Sequence, residues 1–461
     1  MKWLAFLLLL FAGFAQAANL HIRDGATGST CADWGSNACD TLPASLNRGD
    51  TYYIADGSYA GYTFDDNNSG TTRITIKKAI ESDHGSSTGW LSTYGDGQAV
   101  FNGDFNFDRG YYTVDGQAGG GPTAWETGFG ILVNGGVAMP QFVDNNSDDI
   151  ILQHIDFDIG EAGPSDIRGM TLYGADGFTI SYVYIHDAGC DMISMNEMID
   201  FTVEYSKIAR NYQAEPGCHG DVFEFQIDPG SNFIVRWSFF EDVVGTYIFG
   251  AHGTPATVTG YEIYGNIFYF TSGWSAQGFF GNGMLGTIGS GSVSGMKFYN
   301  NTIAGSFNTD SGLIGCCGGT GNITGEFRNT VFWQSSAATY NAGTGGGTSS
   351  ANTCYTGSTV CEQDLSGTPF TNFSGRDLSL TSAAATAQGA GTTLGSPYNV
   401  DMFGVTRGAD GKWDRGAIEF DEGGGGLDAP TNFRLLLWAG GLAWLLRMIG
   451  AGQWFGRTEP A

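Results

Sequence analysis

The chain has 461 residues, 74 of them Gly and only 11 Pro, with 14% aromatic residues and a formal charge of −27 from 47 Asp+Glu against 20 Lys+Arg. So acidic a chain excludes a general nucleic-acid binder, and its length exceeds an ordinary single globular domain. Abundant Gly, Ser, Thr and Asn, with no long helical periodicity between Asn19 and Asp421, predict an all-β protein of short strands and tight turns.

Lys2, the apolar run Trp3 to Phe14 and the small-residue triplet Ala15-Gln16-Ala17 read as a Sec-type signal peptide, residues 1–17, cleaved before Ala18. The mature protein is therefore expected to be secreted or held at the cell surface, where its eight cysteines can oxidise. From Leu20 to Gly70 the sequence lacks the register that follows. Cys31 and Cys39 are expected to clip a loop here, Leu42-Pro-Ala-Ser-Leu46 to form a short capping helix, and Thr51-Tyr-Tyr-Ile54 a strand. Regular alternation starts at Thr72-Arg-Ile-Thr-Ile76.

An internal repeat then decides the fold. Seven segments superpose without gaps, starting at Ile150, Phe178, Phe201, Phe233, Tyr261, Met296 and Gly325, with starts separated by 28, 23, 32, 28, 35 and 29 residues. Their third position is always apolar (Leu152, Ile180, Val203, Val235, Ile263, Phe298, Phe327), and so is their eighth (Phe157, Ile185, Ile208, Phe240, Phe268, Ile303, Phe332). At the sixth stand Ser206, Ser238, Asn266, Asn301 and Thr330, small polar side chains able to bond along a turn to their copy one repeat away. Repeats of this length with several short strands and no helix predict a solenoid whose coils stack about 4.8 Å apart. β-Propeller blades are longer and antiparallel, and fit poorly.

Residues 18–422 on this pattern resemble the right-handed parallel β-helix of the pectate-lyase-like superfamily, here of an exported bacterial type. The resemblance implies an all-β, single-stranded solenoid with an N-terminal cap, acting on a polysaccharide. Asp401 to Arg407 and Asp410 to Glu419 look like the closing segment of such proteins. Residues 423–428 are a Gly-rich linker, and 429–461 a hydrophobic tail, with twelve mostly apolar residues from Leu435 to Leu446. That run is too short for a bilayer span; a sorting signal, an interfacial anchor and a truncated appended domain all fit, the last because Ala429 to Arg434 resembles the start of a fibronectin-type module.

Chemistry concentrates between His186 and Gln226. Gly189-Cys190-Asp191 and Gly217-Cys218-His219 occupy successive repeats, which predicts a Cys190–Cys218 disulfide between neighbouring coils; Cys354–Cys361 is the simplest local pair further on. Aligning the strands places Asp191 beside Asp221 and Ser194 beside Glu224, so that Asp187, Asp191, His219, Asp221 and Glu224 are expected to share one surface. Three activities fit. A polysaccharide lyase must neutralise a uronate carboxylate, remove the C5 proton and protonate the leaving oxygen. Ca²⁺ on Asp187, Asp191, Asp221 and Glu224 would serve the first task, and Lys207, Arg210 or His219 the second; no organic cofactor is implied. A glycoside hydrolase is second, because Gly189-Cys-Asp191 with Cys218-His219-Gly220 loosely resembles the polygalacturonase Gly-Asp-Asp and Gly-His-Gly pair, with one Asp missing. A non-catalytic adhesin is third. His186, Arg236 and Trp237 are the expected substrate-binding residues, Trp237 as a sugar platform. The partner is then an acidic polysaccharide, bound by a monomer without an integral membrane span.

Overall fold

The computed structural model describes residues 17–138, 148–161, 165–212, 220–225, 230–243, 248–251, 257–271, 285–287, 292–305, 323–334, 348–350, 352–354, 363–365 and 367–420. The expected signal peptide through Gln16, the linker and the tail lie outside these residues, as do Cys218, His219, Cys316, Cys317 and Cys361.

The described strands wind into a right-handed parallel β-helix. A 12-stranded sheet runs from Asn19–Ile22 to Thr348–Ser350, and an 18-stranded sheet takes the remaining two strands of each coil. One coil consists of Phe178–Ser181, Tyr184–Ala188 and Ile193–Asn196; the next of Ile199–Glu204, Lys207–Asn211 and Phe223–Phe225. All pairings between coils are parallel, and their register is that of the sequence repeat. Leu152 faces Ile180, Val203 faces Val235, and Phe298 faces Phe327. At the eighth position Phe157, Ile185, Ile208 and Phe240 follow one another in the second sheet. These side chains are 0–1% exposed and form one continuous core, supplying the hydrophobic drive for stacking.

The corner between the two sheets has its own regularity. The fifth residue of every repeat adopts positive φ: His154 (57°), Tyr182 (55°), Tyr205 (48°), Trp237 (50°), Gly265 (66°), Asn300 (54°) and Asn329 (54°). This left-handed step turns the chain sharply and frees the sixth residue to point inward. There the expected ladder forms. The amide of Val183 donates to Ser206 Oγ, that of Ser206 to Ser238 Oγ, that of Ser238 to Asn266 Oδ1 and that of Asn266 to Asn301 Oδ1. The corner thus supplies partners for buried backbone donors that no strand could reach.

At the N-terminal end a Cys31–Cys39 disulfide closes the loop over the first coil. Leu42 to Leu46 forms no helix, contrary to the sequence expectation. Its backbone is held by side chains instead: Leu46 N donates to Asp66 Oδ1, Asn47 N to the Tyr52 hydroxyl, and the Tyr62 hydroxyl to Pro43 O. At the other end residues 367–420, with an antiparallel pair Phe370–Asn372 and Asp377–Leu380, fold back over the outer face of the second sheet. Phe239, Ile267, Tyr269 and Trp333, which point outward from their strands, are buried beneath Leu378, Leu380, Met402 and Ile418. No described helix is long and apolar enough to cross a membrane.

Candidate active site

Two outward rows of the second sheet carry the charged groups. One runs Asp156, Tyr184, Lys207, Phe239; its neighbour runs Asp158, His186, Ala209, Glu241. Alternation within each strand sends Phe157, Ile185, Ile208 and Phe240 into the core and so presents the flanking residues outward.

His186 is 8% exposed, and its ring stacks on Tyr184 at 4.1 Å. Its Nε2 lies 3.0 Å from Asp156 Oδ1 and its Nδ1 2.5 Å from Asp187 Oδ2. Burial pulls its pKa down, but the two carboxylates outweigh that and lift it to about 9, so the ring is an imidazolium at neutral pH. Asp187 stands in a left-handed turn (φ 59°) and is gripped by both arms of Arg210, Nε to Oδ1 at 2.7 Å and Nη2 to Oδ2 at 2.8 Å. Burial opposes its ionisation, yet His186 and Arg210 hold its carboxyl at about 2. Lys207, buried on the adjacent coil, donates to both Glu126 and Glu241, and Arg376 from the C-terminal segment closes on Glu241 at 2.7 Å. The Tyr184 ring lies 5.6 Å from Lys207 Nζ and 5.8 Å from Arg210 Cζ, joining the two networks. A cleft of about 360 Å³ opens on the Lys207 side, lined by Trp125, Glu126, Lys207, Phe239, Ile267 and Arg376.

The single acidic surface expected from the sequence is divided in two. Asp187 belongs to the His186–Arg210 network, whereas Asp191, Asp221 and Glu224 form a separate buried group around the next corner. There Asp221 N donates to Asp191 Oδ1 at 2.9 Å, Arg168 Nε to Asp191 Oδ2 at 2.9 Å, and Ser194 Oγ to Glu224 Oε2 at 3.3 Å. Burial first, then the charges of Glu224 and Asp221, push the Asp191 carboxyl up to about 7. Cys190 at this corner is buried and disulfide-bonded, and the expected partner Cys218, like His219, lies outside the described residues. Cys354 ends the strand Thr353–Cys354, while its expected partner Cys361 is not described.

The Ca²⁺ set does not fit as expected, because Asp187 stands apart from Asp191, Asp221 and Glu224. Among the described residues, the one group of three potential ligands within 4.8 Å of one another is Asp158, His186 and Asp187. Ca²⁺ takes oxygen ligands. Here one donor is a protonated imidazole and another carboxylate is committed to Arg210, so the cluster is neutralised from within.

Arg236 and Trp237 are packing residues rather than an exposed platform. Trp237 is 8% exposed, stacked on Tyr205 at 5.1 Å and covered by the Arg236 guanidinium at 4.4 Å. It continues the corner stack His154–Tyr182–Tyr205, whose rings lie 4.9 and 5.0 Å apart. Arg236 itself is engaged by Glu204 and the Tyr264 hydroxyl. Sequence reasoning missed Tyr184, Glu126, Glu241 and Arg376. Tyr184 and Glu241 were within reach, since each is an outward polar neighbour of an eighth-position core residue. Glu126 and Arg376 come from loops far outside the repeat.

No protein-family model and no curated protein matches the chain. Among solved structures it is similar to pectate lyase Pel9A, at 15% identity and a TM-score of 0.48, over 89% of this chain and 98% of that one.

Proposed function

We propose that this protein is an exported, carbohydrate-active β-helix that cleaves a uronic-acid polysaccharide by β-elimination on the outer face of its second sheet. The observation carrying this reading is the meeting of Lys207, Arg210 and the imidazolium of His186 at the Tyr184 ring, with Lys207 and Arg376 lining the adjoining cleft, in a chain with only 20 Lys+Arg. Arg210, whose side chain is 30% exposed, meets the uronate carboxylate and so acidifies the C5 proton, while His186, bonded to Asp156 and Asp187, holds the Asp187 that positions it. Lys207 is the base, its own ammonium proton leaving first to water in the cleft that it lines. Electrons from the C5–H bond form the C4–C5 double bond, the C4–O bond breaks, and the leaving oxygen takes the Tyr184 hydroxyl proton. No step needs a metal, and the reaction is expected to persist in a chelator.

A second reading, glycoside hydrolysis, has one observation in its favour. Asp191, kept protonated to about pH 7 beside Glu224, has the character of a general acid. Incubation with uronans separates the two: unsaturated, ultraviolet-absorbing ends mark elimination, and reducing ends without that absorbance mark hydrolysis. Lys207→Met and Arg210→Ala are expected to lower turnover at least ~100-fold, the range of a lost proton-transfer group. Full turnover in both folded variants would sink this site, and binding without cleavage of any polysaccharide would favour an adhesin.

A further inference from the structure

We infer that Glu126 holds, in the free protein, the place of a ligand carboxylate, and that residues 120–128 are a plug which a sugar acid displaces; this rests on the polysaccharide reading above. Four ionic groups meet at the cleft: Lys207, Arg376, Glu241 and Glu126. The two carboxylates are held unequally. Glu241 ends the strand Phe239–Glu241, its side chain is 3% exposed, and it takes both Lys207 and Arg376, the latter at 2.7 Å. Glu126 comes from a loop, is 37% exposed, touches Lys207 and lies 3.9 Å from Arg376. Burial opposes its ionisation, yet Lys207, Arg376 and Arg210 together hold its carboxyl below the ordinary value. Three cations thus act on one part-exposed carboxylate. Lys207 and Arg376 balance Glu241 and Glu126, so withdrawing Glu126 leaves a single positive charge in the cleft. A uronate carboxylate restores the balance, and brings C5, the carbon that bears it, beside Lys207.

The loop that carries Glu126 is fixed at its base and loosely held at its tip. At the base His154 Nδ1 lies 2.7 Å from Gly119 O, and Gln98 Nε2 donates to Phe129 O at 2.9 Å. Between these points Gly119 and Gly128 form a narrow neck, both left-handed (φ 89° and 81°), where a Cβ on Gly119 would come within 2.4 Å of Gly128. Beyond the neck the stretch bonds to itself: Gly120 N donates to Thr127 O, Ala124 N to Gly121 O and Thr127 N to Ala124 O. Among the described residues, the hydrogen bond from Lys207 to Glu126 is the only one joining residues 120–128 to the rest of the chain. Trp125 adds an apolar contact, its ring 5.7 Å from that of Phe239. Lifting the stretch about its neck gives up that ion pair and that ring contact, and uncovers Lys207 and Phe239 together. A sugar acid replaces both, its carboxylate answering the cations and the apolar face of its ring the Phe239 side chain.

The test uses the full-length protein with uronic-acid oligosaccharides and their methyl esters, reading binding by calorimetry and cleavage by ultraviolet absorbance. Glu126→Gln keeps the shape of the side chain and removes its charge. It is expected to bind the acids about three- to tenfold tighter than the native protein, as loss of a part-exposed ion pair that competes with the ligand should do. The esters, which carry no charge to answer the cations, should bind the native protein about tenfold more weakly than the acids. Added acid should change the native fluorescence through Trp125, and Trp125→Phe should abolish that change. Unaltered or weaker binding of the acids by folded Glu126→Gln would overturn the plug and leave the polysaccharide reading intact. So would a fluorescence change that survives in Trp125→Phe, or esters bound as well as acids. Tighter binding by Glu126→Gln without any ultraviolet-absorbing product would uphold the plug and overturn the elimination. No binding of any acid by either form overturns both.

Discussion

The imidazole of His186 is clamped between Asp156 and Asp187, and this sets how the site responds to alkali. Its pKa in the folded chain, about 9, lies above its ordinary 6.5, so the stabilisation is complete below pH 6.5 and disappears as pH rises through 9. The contribution is on the order of 3 kcal/mol. Thermal melts between pH 6 and 10 are expected to show the native protein losing more stability over that window than His186→Gln; parallel curves would refute the clamp. Asp191 moves the same way over a different range. Its carboxyl titrates at about 7 instead of 3.8, so stability is fullest below 3.8 and declines as pH climbs through 7. Asp191→Asn should remove that decline, and the variant should gain on the native protein between pH 4 and 8. Neither behaviour was legible in the sequence. The carboxylate partners of His186 come partly from the preceding coil, and whether Asp191 faces Arg210 or Arg168 depends on which side of a corner it falls.

At the scale of the coil, the corner does two jobs with two consecutive residues. The fifth residue bends the chain in a left-handed conformation that disfavours most side chains, and the sixth passes a hydrogen bond to the next coil. Asn301 illustrates the stakes: Oδ1 accepts from Asn266 N at 3.0 Å, and Nδ2 donates to Ile263 O at 2.8 Å, fully buried. Asn301→Ala leaves both groups without a partner, with an expected loss of about 2–4 kcal/mol in urea unfolding. A loss below 0.5 kcal/mol would mean that the ladder contributes little. This part of the fold was legible because period, burial and hydrogen bonding repeat together: Val203, Val235 and Ile263 had to share a face once Ser206, Ser238 and Asn266 shared a turn. The capping helix at Leu42 failed for the opposite reason. It was a local guess in a stretch whose backbone is claimed by distant side chains such as Asp66.

Across the whole molecule, two unlike surfaces divide the outer face of one sheet. Half is open and polar from Ser58 to Asn134, and half is apolar and sealed by residues 367–420, with the ionic groups at the boundary. The seal is anchored by buried cations. Arg415 donates to Asn352 O and Thr353 Oγ1, both at 2.7 Å, and Arg407 to Ala417 O at 2.7 Å. Leu378→Asp would place a charge against Phe239 and Ile267 and loosen the seal. The expected readout is increased binding of a hydrophobic dye with the β-sheet circular dichroism retained. An unchanged dye signal would mean the segment is held by its polar anchors alone. The sequence marked Asp401 to Glu419 as a closing segment but not what it closes. Its contacts pair residues on the order of a hundred positions apart, and no periodicity reports such distances.

The order of synthesis gives this seal a further meaning. Coils of a solenoid form from neighbouring stretches of chain, so the stack can assemble as it emerges. Residues 367–420 follow every coil, and at roughly 5–20 residues per second the outward faces of Phe239, Ile267 and Trp333 stay bare for several seconds in every newly made molecule. During that interval the growing stack presents an apolar strip beside open strand edges, the arrangement most prone to join one nascent chain to another. Truncation by a premature stop just before residue 367 would make that interval permanent.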